Sequence, residues 1–326
     1  MLLVTGGAGF IGSNVVAGFN DAGRTDIVVN DKLGHDGKWR NIGKRQIADF
    51  VPPADLFRWL DGRKLDAVVH LGAISDTTVA DGDAVMENNF RLSLRLLDWC
   101  TVARVPFIYA SSAATYGNGG AGFKDDWSLP ALRRLRPMNL YGWSKHLFDL
   151  AIVDRFNKKE KLPPQWAGLK FFNVFGPNEY HKGTMASVLS RVFDSATAGR
   201  PVRLFKSHRD GIEDGNQRRD FIYVDDTIAV IRWLLETPSV SGIFNLGTGT
   251  ARSFREMIIA MFGAIGSRPN IEYFPMPEAI REQYQYFTEA DMQNLRTAGY
   301  QPAFLTLEEA VRRYVTEFLD QPDRYR

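Results

Sequence analysis

Tyr141 and Lys145 stand four residues apart in the run Tyr141-Gly142-Trp143-Ser144-Lys145. On a helix that spacing puts both on one face. A tyrosine with its ordinary pKa near 10 is a poor base at neutral pH, and an ammonium group alongside favours the phenolate. The pair therefore points to proton transfer at a substrate hydroxyl or carbonyl. Ser112, in Ser111-Ser112-Ala113-Ala114-Thr115-Tyr116-Gly117, follows an apolar run and offers a hydroxyl to the same oxygen. A second cluster, Gly6, Gly9 and Gly12, lies in Val4-Thr5-Gly6-Gly7-Ala8-Gly9-Phe10-Ile11-Gly12. Its residue types suit a tight turn, a close backbone approach to a pyrophosphate, and close helix–strand packing. Asp31 follows the last glycine by 19 residues, near the spacing of a ribose contact. It favours a free 2′-hydroxyl, whereas Lys32, Lys38 and Arg40 suit a 2′-phosphate, so these residues alone leave NAD and NADP both open.

These groups need a scaffold of alternating elements. Apolar runs at Leu2-Leu3-Val4, Ile27 to Asn30, Leu65 to Leu71, Pro106 to Tyr109 and Gly168 to Phe172 read as strands. Phe10 to Ala22, Ala84 to Ala103 and Leu140 to Phe156 read as helices. Strand–helix alternation of this kind predicts an α/β fold, a Rossmann-type doubly wound parallel sheet covered on both faces. After Asn173 the rhythm loosens. Lys206 to Arg219 reads as a mobile polar loop, Phe221 to Val224 as a strand, Asp225 to Glu236 as a helix, Ile243 to Leu246 as a strand and Leu307 to Leu319 as a helix. The expected organisation is a dinucleotide-binding domain over 1–172, with 220–240 returning to it, and a smaller mixed α/β substrate domain over 173–326.

Composition excludes several classes. The 326 residues, 44% hydrophobic and 24% charged, suffice for a large core. Forty Lys and Arg against 38 Asp and Glu give a formal charge of +2 with no concentrated basic run, which disfavours a nucleic-acid partner. No apolar run is long enough to span a membrane, and the start lacks the basic region of a signal peptide. The expectation is a cytoplasmic protein with neither nucleic-acid nor membrane partner and no metal. Cys100, the single cysteine, lies in an apolar helical stretch and reads as a packing residue.

The glycine loop, the serine and the Tyr-x-x-x-Lys pair, in this order, resemble the extended short-chain dehydrogenase/reductase family over most of the chain. The resemblance implies Ser112, Tyr141 and Lys145 as a catalytic triad and a nucleotide-sugar substrate. Ala113-Ala114 stand where the sugar-nucleotide dehydratases of that family carry an Asp-Glu pair, so loss of water is not expected. Asn173 to Pro177, then His181-Lys182-Gly183-Thr184, then Tyr284 to Thr288, are similar to its nucleotide-sugar 6-epimerases, which implies an ADP-heptose as substrate and Lys182 as a second acid/base. Removing a hydride, turning the ketone about an exocyclic bond and returning the hydride to the other face puts the oxygen in two places, and one tyrosine cannot serve both. The same resemblance implies NADP, a homopentamer, and cofactor contacts from Gly6, Gly9, Phe10, Ile11, Gly12, Asp31, Lys32, Lys38, Leu71, Gly72, Ala73, Ile74, Ser75, Asn88, Lys145, Val174 and Lys182. Substrate contacts would come from Asn173, Thr184, Arg191, Phe205, Lys206, Ser207, His208, Arg219 and Tyr284. Departures from the family pattern are Leu71 in place of the usual Glu, no lysine at Val51-Pro52-Pro53, Arg191 in place of a common His, and a longer 206–218 loop. Two other readings stand beside this one: a 4-epimerase or reductase on the same scaffold, and a non-catalytic nucleotide-binding module.

Overall fold

The computed structural model describes residues 1–281 and 284–326. In chain order the strands are β1 (Leu2–Thr5), β2 (Ile27–Asn30), β3 (Asp49–Val51), β4 (Ala67–His70), β5 (Phe107–Ser112), β6 (Trp166–Phe171), β7 (Asn173–Phe175), β8 (Val202–Phe205), β9 (Arg218–Tyr223), β10 (Gly242–Leu246), β11 (Ala251–Ser253) and β12 (Ile271–Phe274). Seven of them form one sheet in the order β10-β6-β5-β4-β1-β2-β3, with every neighbouring pair parallel. β1, β2 and β4 are buried at every residue, which explains their unbroken apolar sequence: helices cover both faces. The doubly wound fold anticipated from the alternation is therefore present.

Two apolar cores result. The first surrounds the large sheet and takes in Val16, Val69, Leu96, Ile108 and Ile152, with Ile231, Leu246, Leu295 and Tyr300 returning from late in the chain. The second gathers Phe175, Leu189, Phe193, Leu204, Met257, Met261, Val311 and Tyr314. Around it lie two small sheets, β11-β9-β7 and β12-β8.

Some elements differ from the sequence reading. The helix expected over 84–103 is broken by a π turn at Met86–Arg91, which turns Asn89 fully inward. A second π turn, Val315–Leu319, follows the Leu307–Tyr314 helix. The polar segment expected to be a loop through Arg219 ends at β9, so Arg218 and Arg219 are strand residues and Arg219 is buried. The remaining loop is fastened rather than free. Ser207 N donates to Asp214 Oδ1 (2.8 Å), His208 N donates to the Tyr286 hydroxyl (3.0 Å), and His208 Nε2 accepts from Met276 N (3.1 Å). Cys100 is fully buried and burial pushes its thiol up, as suits a packing residue. Among the described residues no helix is long and apolar enough to cross a membrane.

Candidate active site

A cleft of about 680 Å³ opens at the carboxyl ends of β1, β4 and β5 and continues against the second core. That edge is where an open α/β sheet binds its ligand. The glycine loop leads from β1 into the Phe10–Asp21 helix, whose N-cap, Gly9, has no side-chain bond. The start of the helix lines the cleft through Gly6, Gly9, Phe10, Ile11 and Gly12, where a helix N-terminus offers N–H groups and a partial positive charge to an anion. A Cβ on Gly12 would stand 2.1 Å from the Gly6 carbonyl oxygen, so only glycine permits this turn to close on its helix. The loop thus fits a dinucleotide pyrophosphate. Beside it, the buried Asp31 carboxylate accepts from Ala8 N (2.9 Å), Lys32 N (2.7 Å) and Lys38 Nζ (2.6 Å).

The ledge Leu71-Gly72-Ala73 is set by a chain of hydrogen bonds beneath it. Gly72 N donates to Thr5 Oγ1 (3.1 Å), which lies 2.6 Å from His70 Nδ1, and His70 Nε2 lies 2.8 Å from Ser93 Oγ. Ser93 donates its own proton to the Asn89 carbonyl (2.7 Å). The proton count then makes His70 a neutral Nε2–H tautomer, in keeping with a pKa depressed to about 3 by burial and by the Lys145 charge. Asn89 continues the ladder: its amide brackets Ile74 N and O (2.8 and 2.9 Å) and reaches Ser144 Oγ (3.1 Å), which donates to the Tyr141 carbonyl (2.7 Å).

Tyr141 and Lys145 lie on the Leu140–Asn157 helix, capped by the Asn139 side chain accepting from Gly142 N (2.8 Å). Gly142 lets this helix press on the turn after Ser112, since a Cβ there would meet the Ala114 carbonyl oxygen at 2.7 Å. Ser112, Tyr141 and Lys145 are thereby brought to one wall of the cleft. Burial lowers Lys145 to about 8, opposed by Asp149 one turn further along the helix. Tyr141, by itself in the folded chain, has a raised pKa. Burial disfavours the phenolate and raises it, and the neighbouring Ser112 hydroxyl only partly offsets that. Asp149 is itself fully buried. It accepts from Lys170 Nζ (2.6 Å), Ser111 Oγ (2.7 Å) and the Tyr109 hydroxyl (3.0 Å).

The opposite wall comes from the second core. Lys182 enters on the 3₁₀ segment Tyr180–Met185, with Nζ 5.1 Å from the centre of the Phe10 ring; burial lowers its pKa and Glu179 opposes the change. Arg219 is buried with its guanidinium 5.1 Å from the Tyr284 ring, and among the described residues no carboxylate pairs with it or with Arg191. Two cations facing one cleft without counter-ions suit a diphosphate, Arg219 through a planar fork.

Asp31, Lys38, Leu71 to Ala73, Ser75, Asn173 and Val174 also line the cleft. Lys32, Ile74, Asn88, Thr184 and Phe205 to His208 do not, although Phe205 packs edge-on against Tyr284 at 6.1 Å. The inward asparagine is Asn89, not Asn88, because the π turn rotates the pair. Met185, Ser187, Gln285 and Thr288, given no individual role by the sequence motifs they belong to, are also in the lining. Gln285 donates to the Gly117 carbonyl and so spans the two walls.

Residues 2–247 match the model of the NAD dependent epimerase/dehydratase family. The chain belongs to that family. A protein of Nitratidesulfovibrio vulgaris named ADP-L-glycero-D-manno-heptose-6-epimerase is 47% identical over 330 residues, covering all of both chains. The crystal structure of the Helicobacter pylori ADP-L-glycero-D-manno-heptose-6-epimerase superposes with a TM-score of 0.78 at 29% identity, covering 97% of this chain and 95% of that one. A Thermus thermophilus UDP-glucose 4-epimerase in complex with NAD gives 0.74 at 27% identity, covering 96% and 97%. The chain is an epimerase that works with a nicotinamide cofactor.

Proposed function

We propose that this protein inverts C6″ of ADP-D-glycero-D-manno-heptose to give the L-glycero epimer used in lipopolysaccharide core synthesis. The observation that carries the reading is a pair of acid/base groups, Tyr141 and Lys182, delivered to one cleft by two different cores, beside two arginines that lack carboxylate partners. A nicotinamide cofactor held by the glycine loop and Asp31 would supply the hydride acceptor and donor at C6″. Everything else falls to the chain.

Arg219 and Arg191 hold the diphosphate, so the sugar stays anchored while its terminal carbon turns. Tyr141 takes the hydroxyl proton in one orientation, with Ser112 hydrogen-bonded to the same oxygen and Lys145 supplying positive charge. After the 6″-ketone turns about its exocyclic bond, the oxygen lies on the Lys182 side, and Lys182 donates the proton as the hydride returns. NADP is the preferred cofactor: Lys38 beside Asp31 supplies the cation for a 2′-phosphate. The protein assembles as a homopentamer in the cytoplasm, as its likeness to the 6-epimerases implies. Proton NMR of ADP-D-glycero-D-manno-heptose incubated with the purified protein, without added cofactor or reductant, tests the reading. The C6″ epimer should appear at constant total heptose and be lost in Tyr141→Phe. No epimer, with or without added NADP, would sink the assignment and leave a family member with a different sugar.

A further inference from the structure

Glu179 has no place in the chemistry so far, yet it is fully buried at the entrance to the segment that carries Lys182. Three donors point at its carboxylate. Ser187 N and Ser187 Oγ each reach it at 2.6 Å, and the Tyr314 hydroxyl at 3.1 Å. Residues 179 and 187 flank the 3₁₀ segment, so one carboxylate fastens both ends of the loop. The backbone completes the fold of this segment through Lys182 N donating to Glu179 O (3.0 Å) and Ala186 N donating to Gly183 O (3.2 Å). Gly183, at φ +53, provides the kink between them. Tyr314 belongs to the second core, which gives the fastening a rigid base.

We propose that Glu179 is a positioning residue for Lys182, holding its loop in the cleft and supplying the negative charge that keeps its ammonium form accessible. The proposal rests on the reading of Lys182 as the second acid/base. Donors at 2.6 Å on both carboxylate oxygens favour the ionised form against the burial that raises Glu179. Burial likewise disfavours the charged form of Lys182, and Glu179 is the group that opposes it. The other groups around Lys182 do not supply that charge. They are His181 beside it, the Phe10 ring from the first helix, and Tyr141, Lys145 and Arg191 elsewhere in the cleft. His181 is held against Asn41 at 3.2 Å, and Asp31 is already bound by Lys38.

The test follows single-turnover oxidation of each C6″ epimer separately, as absorbance of reduced cofactor on the holoenzyme across pH. If Lys182 is the second acid/base, Lys182→Ala slows oxidation of one epimer by about a hundredfold or more and spares the other. Equal loss for both epimers, or for neither, overturns the two-base reading itself. Given the asymmetric result, Glu179→Gln should slow the same epimer selectively, and the rising limb of its pH profile should move to lower pH by about one unit. The direction follows because removing a nearby negative charge makes the lysine easier to deprotonate. Ser187→Ala removes hydrogen bonds but no charge, so it should lower that rate without moving the limb. If Glu179→Gln slows both epimers alike, or leaves the limb where it was, the proposal is wrong while Lys182 keeps its role.

Discussion

Lys145 is costly to the fold in the very state that the chemistry needs. It is 3% exposed, and its pKa falls from 10.5 to about 8 because burial strips water from the ammonium faster than Asp149 compensates. At about 1.36 kcal/mol per pH unit, that difference amounts to about 3 kcal/mol of lost stability while Lys145 is protonated. Replacing it with methionine, which has similar reach and no charge, should stabilise the cofactor-stripped protein at pH 7 by about 3 kcal/mol. With an unfolding entropy of about 2.1 cal/mol/K per residue, the midpoint should rise by about 5 °C. The sign with pH is fixed. Below about 8 the folded protein carries the full penalty; between about 8 and 10.5 the lysine is neutral when folded but charged when unfolded, and the penalty fades. Scanning calorimetry of wild type and Lys145→Met from pH 7 to 10 should therefore show two midpoints that converge, while epimerisation by the variant falls by about a hundredfold or more. A variant less stable than wild type at pH 7, or a gap that does not change with pH, would refute the reasoning.

Other expectations concern the supports of the site. Asp149→Asn leaves the Lys170 ammonium buried without a counter-ion and should destabilise the protein by about 3–5 kcal/mol in urea unfolding, with Asp149→Asn/Lys170→Met recovering most of it. Gly12→Ala forces a Cβ against the Gly6 carbonyl. It should cost about 1–3 kcal/mol and weaken cofactor retention on gel filtration, without altering the NMR signals of residues around the second core. Lys38→Ala removes the cation held by Asp31; fluorescence titration should show NADP affinity falling about ten- to a hundredfold relative to NAD, since one charged hydrogen bond contributes about 1.5–3 kcal/mol.

The large sheet was legible because its central strands are covered on both faces and so are written as unbroken apolar runs. Three-residue strands such as Asp49–Val51 and Asn173–Phe175, with exposed first residues, carry no such signature. The π turn left no trace in spacing either, and the choice between Asn88 and Asn89 depended on it. Tyr141 and Lys145 could be read from their period of four. The same period extends to Asp149, whose partner Lys170 lies on a strand and meets it only through the fold. Lys182 drew its meaning from resemblance alone, since a lysine in a polar loop is ordinarily solvated; burial against Phe10 and the fastening by Glu179 appear only in three dimensions. Arg219 lines the cleft, yet its sequence reads as the end of a loop, because the charge around it masks the start of β9.

The sheet order has a consequence for how the chain comes off the ribosome. β6 is buried along its whole length, and its outer neighbour is β10, made only after most of the second core's strands have been synthesised. Between the emergence of residues 172 and 246, Trp166 to Phe171 stand at an open edge, a row of unpaired backbone groups that is apolar apart from Lys170. At about 5–20 residues per second that interval lasts roughly 4–15 s. A nascent chain at this stage is the form of the protein most prone to pair with a neighbour. Slowing translation across 173–241 should therefore lower soluble yield more than the same slowing placed after β10.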